Sequence, residues 1–214
     1  MKKGKNGLYA KYIKRILDIV CAALAMILFF LLFALIAVLV RMRLGKPVIF
    51  QQVRPGKNGK PFALYKFRTM TDQKDSNGRL LPDDLRLTPF GAALRKTSLD
   101  ELPEIWNILI GDMSIVGPRP LLMEYLPYYT AEEAHRHDVR PGLTGLAQIN
   151  GRNFIDWDAR IAKDVEYVKN ISFFLDLTIV AKTAFQMIAK KNIAENTNEV
   201  EGNFAEIRKK QATR

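Results

Sequence analysis

Residues 19–40 read IVCAALAMILFFLLFALIAVLV, 22 positions without a charge and dominated by Leu, Ile, Val, Ala and Phe. As an α-helix this stretch is long enough to cross a hydrocarbon core of ~30 Å. A helix buried in a soluble core and a signal peptide are the competing readings. The run is too long for a signal h-region, and Arg41-Met42-Arg43 follows where small residues would mark a cleavage site. Both flanks are basic. Lys2, Lys3, Lys5, Lys11, Lys14 and Arg15 precede the run, and Arg41, Arg43, Lys46, Arg54, Lys57 and Lys60 follow it. The positive-inside rule then asks for both ends in the cytoplasm. A straight span cannot satisfy that; a bent, re-entrant helix can. Against the bend, a broken helix in lipid exposes costly backbone groups, and residues 19–40 contain neither Pro nor Gly. Basic flanks favour the re-entrant reading, with a straight span as its rival.

The full chain has 214 residues, room for one sizeable domain besides the anchor. Three parts are expected: a basic N-terminus and membrane helix over 1–46, a domain at the membrane interface over 47–191, and a polar, mobile tail over 192–214. With 33 Lys+Arg against 22 Asp+Glu the net charge is +11, which suits anionic partners: nucleic acid, phosphorylated substrates or acidic headgroups. A single cysteine, Cys21, excludes an intrachain disulfide and fits a reducing compartment.

Beyond the anchor, residues 48–70 read as a β-hairpin around Asn58-Gly59, and 71–84 as a polar surface loop. Thr88-Pro89 opens a short helix, Thr as N-cap and Pro at the first helical position. Ser98 opens the next, to about Ile110, with Leu102, Ile105, Trp106 and Leu109 at three- and four-residue steps. Residues 114–116 are a short extended piece. Segments 121–129 and 131–138 are helical, 140–145 is a loop, and 156–170 is an amphipathic helix. Residues 172–191 form a strongly apolar helix, either core or lying in the headgroup region. The expected fold is therefore α+β: a membrane-anchored, mostly helical domain with a small β-hairpin and interfacial amphipathic helices.

The candidate chemistry centres on Asp100-Glu101. Ser98-Leu99-Asp100-Glu101 fits the capping box S-x-x-E, in which Glu101 merely closes a helix N-terminus. By local sequence that reading outweighs the catalytic one. In the catalytic reading, a carboxylate in the first helical turn acts as nucleophile or metal ligand, and two adjacent acids push their pKa values apart. Arg119, held between Pro118 and Pro120, is a candidate phosphate clamp or part of a rigid turn. Arg95, Lys66 and Arg68 are further phosphate candidates, with a solvated basic face as the alternative for the last two. Arg152, in the loop Asn150-Gly151-Arg152-Asn153, is set to meet phosphate or a base. No P-loop, Gly-x-Gly-x-x-Gly or zinc spacing occurs. His135 and His137, two residues apart, do not share a helix face. A nucleic-acid partner is disfavoured, since no aromatic–basic stacking pattern or recognisable module is present.

Several ordered blocks resemble one family: Lys14-Arg15-Ile16-Leu17-Asp18, Gln52-Val53-Arg54-Pro55-Gly56, Tyr65-Lys66-Phe67-Arg68-Thr69-Met70, Thr97-Ser98-Leu99-Asp100-Glu101-Leu102-Pro103, Gly111-Asp112-Met113-Ser114-Ile115-Val116-Gly117-Pro118-Arg119-Pro120, Arg140-Pro141-Gly142-Leu143-Thr144-Gly145 and Gln148-Ile149-Asn150-Gly151-Arg152. From about residue 12 to residue 190 the chain resembles the bacterial sugar transferases, the monotopic phosphoglycosyl transferases. It looks most like the small members that begin N-linked glycan assembly. The resemblance implies transfer of a sugar 1-phosphate from a UDP-sugar to polyprenol (undecaprenyl) phosphate, with UMP released, at the cytoplasmic face of the bacterial inner membrane. It assigns Asp100 as nucleophile through a phosphosugar–aspartyl intermediate, and Glu101 as partner acid. Mg²⁺ is the implied cofactor, with Asp100 and Glu101 as ligands. Arg95 and Arg119 match phosphate-holding positions, and Arg152 a loop near the nucleotide. An N-acetylated sugar is the expected cargo. The chain departs from the family at Phe30-Leu31, where members commonly carry a helix-breaking Ser-Pro.

Overall fold

Two helical arms meeting at Phe29 carry the apolar run, in a computed structural model that describes residues 7–151, 156–189 and 202–212. A turn of π-helix, Tyr9–Ile13, leads into α1 (Lys14–Leu28), and α2 (Phe30–Leu44) follows after a 64° bend. The bend forms without Pro or Gly. Phe29 leaves the helical region at φ −96°, ψ 9°, yet its N–H still reaches Ala25 O at 2.9 Å and its carbonyl accepts from Phe33 N at 2.8 Å. These two bonds persist at the break, and docking of the arms can hold it. Ala22 of α1 packs with Leu64, Ile108 and Met113, while Ile36, Val40 and Leu44 of α2 pack with Phe67 and Leu94. The Phe33 and Phe67 rings lie 4.8 Å apart. No single described helix is long and apolar enough to cross a membrane, but the bent pair together has the length and composition.

Polar contacts fix α1 further. Asp18 Oδ1 accepts from Ile115 N at 3.0 Å. The Arg15 guanidinium donates to Ile108 O and Leu109 O at 2.6 and 2.9 Å, occupying carbonyls that a helix C-terminus leaves unpaired.

The hairpin is β1 (Ile49–Pro55) antiparallel to β2 (Pro61–Phe67), with Ile49 opposite Phe67 and Pro55 opposite Pro61. Its turn holds Asn58 and Gly59 at φ 58° and 71°, the left-handed region that an Asn-Gly pair accepts readily. After a loop come α3 (Asp83–Arg86) and α4 (Pro89–Lys96), the latter capped by Thr88 Oγ1 accepting from Gly91 N. Then follow a 3₁₀ turn, Leu99–Glu101, and α5 (Glu104–Ile110). β3 (Ser114–Val116) pairs in parallel with β4 (Gly142–Thr144), so the expected loop at 140–145 contains a strand. Between them lie a 3₁₀ stretch, Met123–Tyr128, α6 (Ala131–Ala134) and a 3₁₀ turn, His135–Asp138. α7 (Leu146–Ile149), α8 (Trp157–Asn170), α9 (Phe173–Ile188) and α10 (Phe204–Ala212) complete the chain. The fold is a mixture of helices and two small sheets.

α9 answers the choice between core and surface with both. Ile179 is fully buried, packed with Tyr167, Val168 and Ile171, whereas Phe174, Leu177 and Phe185 stand exposed. α10 corrects the expectation of a mobile tail over Phe204–Ala212, while residues 192–201 and 213–214 of that tail lie outside the described residues. Phe204 is fully buried against Tyr125 and Trp157, with ring centroids 5.3 and 5.4 Å away. Aromatic burial outweighs the polar composition around it.

Candidate active site

The Asp100–Glu101 turn sits between α4 and α5, and the expected capping box does not form. Ser98 adopts φ 55°, ψ 18° and its side chain caps nothing. A capping Ser needs an extended backbone; a left-handed residue instead closes the end of α4. The regular helix starts only at Glu104. Freed from capping, Glu101 Oε1 accepts from Lys66 Nζ at 2.7 Å and Arg119 Nη2 at 2.6 Å.

Three elements converge there because their backbones are pinned. β2 supplies Lys66. Its free edge is held by Asn107 of α5, whose carboxamide accepts from Tyr65 N at 3.1 Å and donates to Ala63 O at 2.7 Å, standing in for a strand. The loop after β3 supplies Arg119. It is fixed by close backbone approach at Gly117, where a Cβ would lie 2.5 Å from Arg140 O. The buried Arg136 also holds that loop, donating to Arg119 O at 2.8 Å while paired with Asp164 at 2.7 Å.

The two neighbouring acids behave oppositely. Burial works against charge on Glu101, but the charges and hydrogen bonds of Arg119 and Lys66 overcome it and hold its pKa well below the carboxylate range. Asp100 is only 7% exposed, and its carboxylate takes no hydrogen bond among the described residues. Burial, then the Glu101 charge, pushes its pKa up to about 6, against the opposing pull of Lys66, Arg95 and Arg119. Glu104, whose Oε1 lies 3.1 Å from Lys66 Nζ, is pushed up to about 7 by burial and the Glu101 charge. Lys66 is raised: burial opposes its charge, but Glu101 and Glu104 outweigh that.

The expected residues divide. Lys66, Glu101 and Arg119 are brought together, and Arg119 keeps 43% of its side chain exposed, open to a ligand. Arg95 donates from Nε to Thr69 Oγ1 at 3.1 Å, and its charge reaches Asp100. Arg68 is turned to structural use. Its buried guanidinium binds Met70 O at 2.8 Å, Lys46 O at 2.6 Å and Asp72 at 2.6 Å rather than the Asp100–Glu101 turn. Arg152 lies outside the described residues. Sequence reasoning missed Glu104, although a third acid one helical turn after Glu101 was a usable signal. It also missed Asn107, a lone amide in an apolar helix, and Arg136, which carries no local signal.

Among the described residues no cluster of three or more His, Cys, Asp or Glu side chains could hold a metal by itself. Mg²⁺ is typically held by one or two carboxylates together with substrate phosphates. The donor set fits that mode: the unbonded oxygens of Asp100 and the second oxygen of Glu101, since both cations meet Oε1.

Residues 9–190 match the bacterial sugar transferase family. An uncharacterized sugar transferase, EpsL, of Bacillus subtilis (strain 168) is 52% identical over 88% of this chain and 93% of its own length. A UDP-glucose:undecaprenyl-phosphate glucose-1-phosphate transferase of Klebsiella pneumoniae is 41% identical over 87% of this chain and 42% of its own length. A UDP-N-acetylgalactosamine-undecaprenyl-phosphate N-acetylgalactosaminephosphotransferase of Aeromonas hydrophila is 40% identical over 83% and 44%.

Proposed function

Because the chain belongs to the bacterial sugar transferase family, we propose that it is a phosphoglycosyl transferase. It moves a sugar 1-phosphate from a UDP-sugar to a polyprenol phosphate such as undecaprenyl phosphate, releasing UMP. The names of the Klebsiella and Aeromonas relatives support the class of acceptor. The observation that carries the reading is the contrast within the acidic pair: Glu101 is gripped by two cations, and Asp100 beside it is buried with no hydrogen bond among the described residues.

In this reading an Asp100 carboxylate oxygen attacks the phosphorus that bears the sugar. The bond from that phosphorus to the UMP oxygen breaks, and UMP leaves with the electron pair. A phosphosugar–aspartyl intermediate remains. An oxygen of polyprenol phosphate then attacks the same phosphorus, the bond to Asp100 breaks, and the carboxylate is regenerated. Arg119 and Lys66 stabilise charge developing on the transferred group, and Arg95 adds a third cation near Asp100. Glu101 keeps Lys66 and Arg119 in place. Asp100 and Glu101 would hold Mg²⁺, which would supply Lewis-acid stabilisation of phosphoryl oxygens.

The bent α1–α2 pair supports a re-entrant anchor. Ile27, Leu28 and Leu31 at its tip are 76%, 76% and 79% exposed, an apolar surface that water disfavours and acyl chains accept. The exposed face of α9 lies at the interface in the same arrangement, and the catalytic turn faces the cytoplasm. A UDP-sugar is the donor, with an N-acetylated sugar the first candidate beside glucose.

The test is UMP release by the full chain in lipid nanodiscs with Mg²⁺ and a panel of UDP-sugars. Without polyprenol phosphate, a burst of about one UMP per enzyme is expected, and Asp100→Asn abolishes it. Full activity in that variant would sink the nucleophile assignment.

A further inference from the structure

A cavity of about 330 Å³, within the range of small-molecule sites, opens at the N-terminal mouth of α1, away from the Asp100 turn. α5 separates the two. Its Glu104 end meets Lys66, and its C-terminal carbonyls meet Arg15, about 7 Å further along the helix. The cavity wall brings five cations, Lys11, Lys14, Arg15, Lys57 and Arg140, against two carboxylates, Asp18 and Asp138.

Asp18 accepts the Ile115 N–H and its charge also acts on Arg15, while Asp138 pairs with His135 at 2.9 Å. Lys14 is paired with Asp176 at 2.6 Å. Arg15 and Arg140 are different. Arg15 donates to the carbonyls of Ile108 and Leu109, and Arg140 Nε to that of Gly111 at 2.7 Å. Carbonyls satisfy N–H groups without cancelling a charge, so two guanidinium charges converge there, with Asp18 offsetting part of the Arg15 charge. Lys11 and Lys57 are exposed and meet no acid among the described residues.

A second observation is independent of charge. Ser114, on the cavity wall, is 1% exposed, and its Oγ is buried without a hydrogen-bond partner. A buried hydroxyl left unpaired is costly, and such groups in folded proteins ordinarily find a partner.

We propose that this cavity binds a phosphate-bearing anion, with its charge set against Lys11, Arg15, Lys57 and Arg140 and one oxygen accepting from Ser114 Oγ. The proposal does not depend on the reaction assigned to Asp100. Two sources share the chemistry. One is the headgroup of an acidic phospholipid, since the cavity opens where α1 begins its path to the apolar bend. The other is soluble phosphate.

Full-length protein in detergent is titrated with inorganic phosphate by calorimetry at fixed ionic strength. In parallel it is placed in phosphatidylcholine nanodiscs with and without phosphatidylglycerol, and retained phosphatidylglycerol is counted by native mass spectrometry. Lys11→Gln/Lys57→Gln should weaken binding about tenfold, and Ser114→Ala about threefold. Arg119→Gln should leave this binding intact, while UMP release by the Lys11/Lys57 variant stays unchanged. An effect confined to the phosphate arm identifies a soluble ligand, and one confined to the lipid arm a headgroup. No binding in either arm, binding unaffected by the Lys11, Lys57 and Ser114 substitutions, or loss only in Arg119→Gln would overturn the proposal.

Discussion

Asp100 and Glu101 are adjacent in sequence, but their carboxylates meet different surroundings. Glu101 has two cationic partners, so its ionisation stabilises the fold above its unfolded pKa, and that contribution is lost as pH falls. Asp100 is the reverse. Its pKa rises from 3.8 to about 6 on folding, mainly through burial and the Glu101 charge, so the folded state binds the proton more tightly. Ionising it therefore costs stability, increasingly from pH 4 to 6 and fully above that, by about 3 kcal/mol at ~1.4 kcal/mol per unit. Asp100→Asn is expected to raise the urea midpoint at pH 8 and leave it nearly unchanged at pH 4. An unchanged midpoint at both would mean Asp100 is solvated. The acidic pair itself was legible in sequence because its residue types and neighbours are local. Its role was not: S-x-x-E reads as a capping box until the left-handed backbone of Ser98 removes the cap. Glu101 is then held by Lys66 and Arg119, 35 and 18 residues away.

Elements show the same division. The hairpin, the Thr88-capped α4 and the Asp156-capped α8 follow local signals, and the structure contains all three. The docking of α5 does not follow from its apolar periodicity alone, because Asn107 fastens it to the edge of β2. Asn107→Leu leaves the Tyr65 N–H and Ala63 carbonyl without that partner. A loss of about 2–3 kcal/mol in urea unfolding is expected, with weaker UMP release at temperatures where the fold persists, since Lys66 and the Asp100 turn lose their common brace. The bend at Phe29 is likewise absent from local signals: no Pro or Gly marks it, and packing of α1 and α2 against different parts of the domain accounts for it. If the pair is re-entrant, cysteines introduced at Asn6 and Lys46 in a Cys21→Ser background both escape an impermeant maleimide in intact cells and react after permeabilisation. Labelling of Asn6→Cys alone in intact cells would indicate a span.

At the scale of the molecule, α10 returns from a polar C-terminal stretch to seal the aromatic cluster of Tyr125, Trp157 and Phe204. Phe204→Ala should cost ~3–5 kcal/mol in thermal or urea unfolding while leaving UMP release near normal below the transition, because the cluster lies apart from the acidic turn. A change under about 1 kcal/mol would mean α10 does not close the core. The sequence by itself determined the apolar anchor, the basic balance, the helix and hairpin signals and the family blocks, because each rests on composition or on residues a few positions apart. Only the tertiary structure decided the bend, the docked C-terminal helix, the freeing of Glu101 from capping and the isolation of Asp100. Those depend on which distant side chains are buried together, and burial is a property of the folded chain rather than of any segment of it.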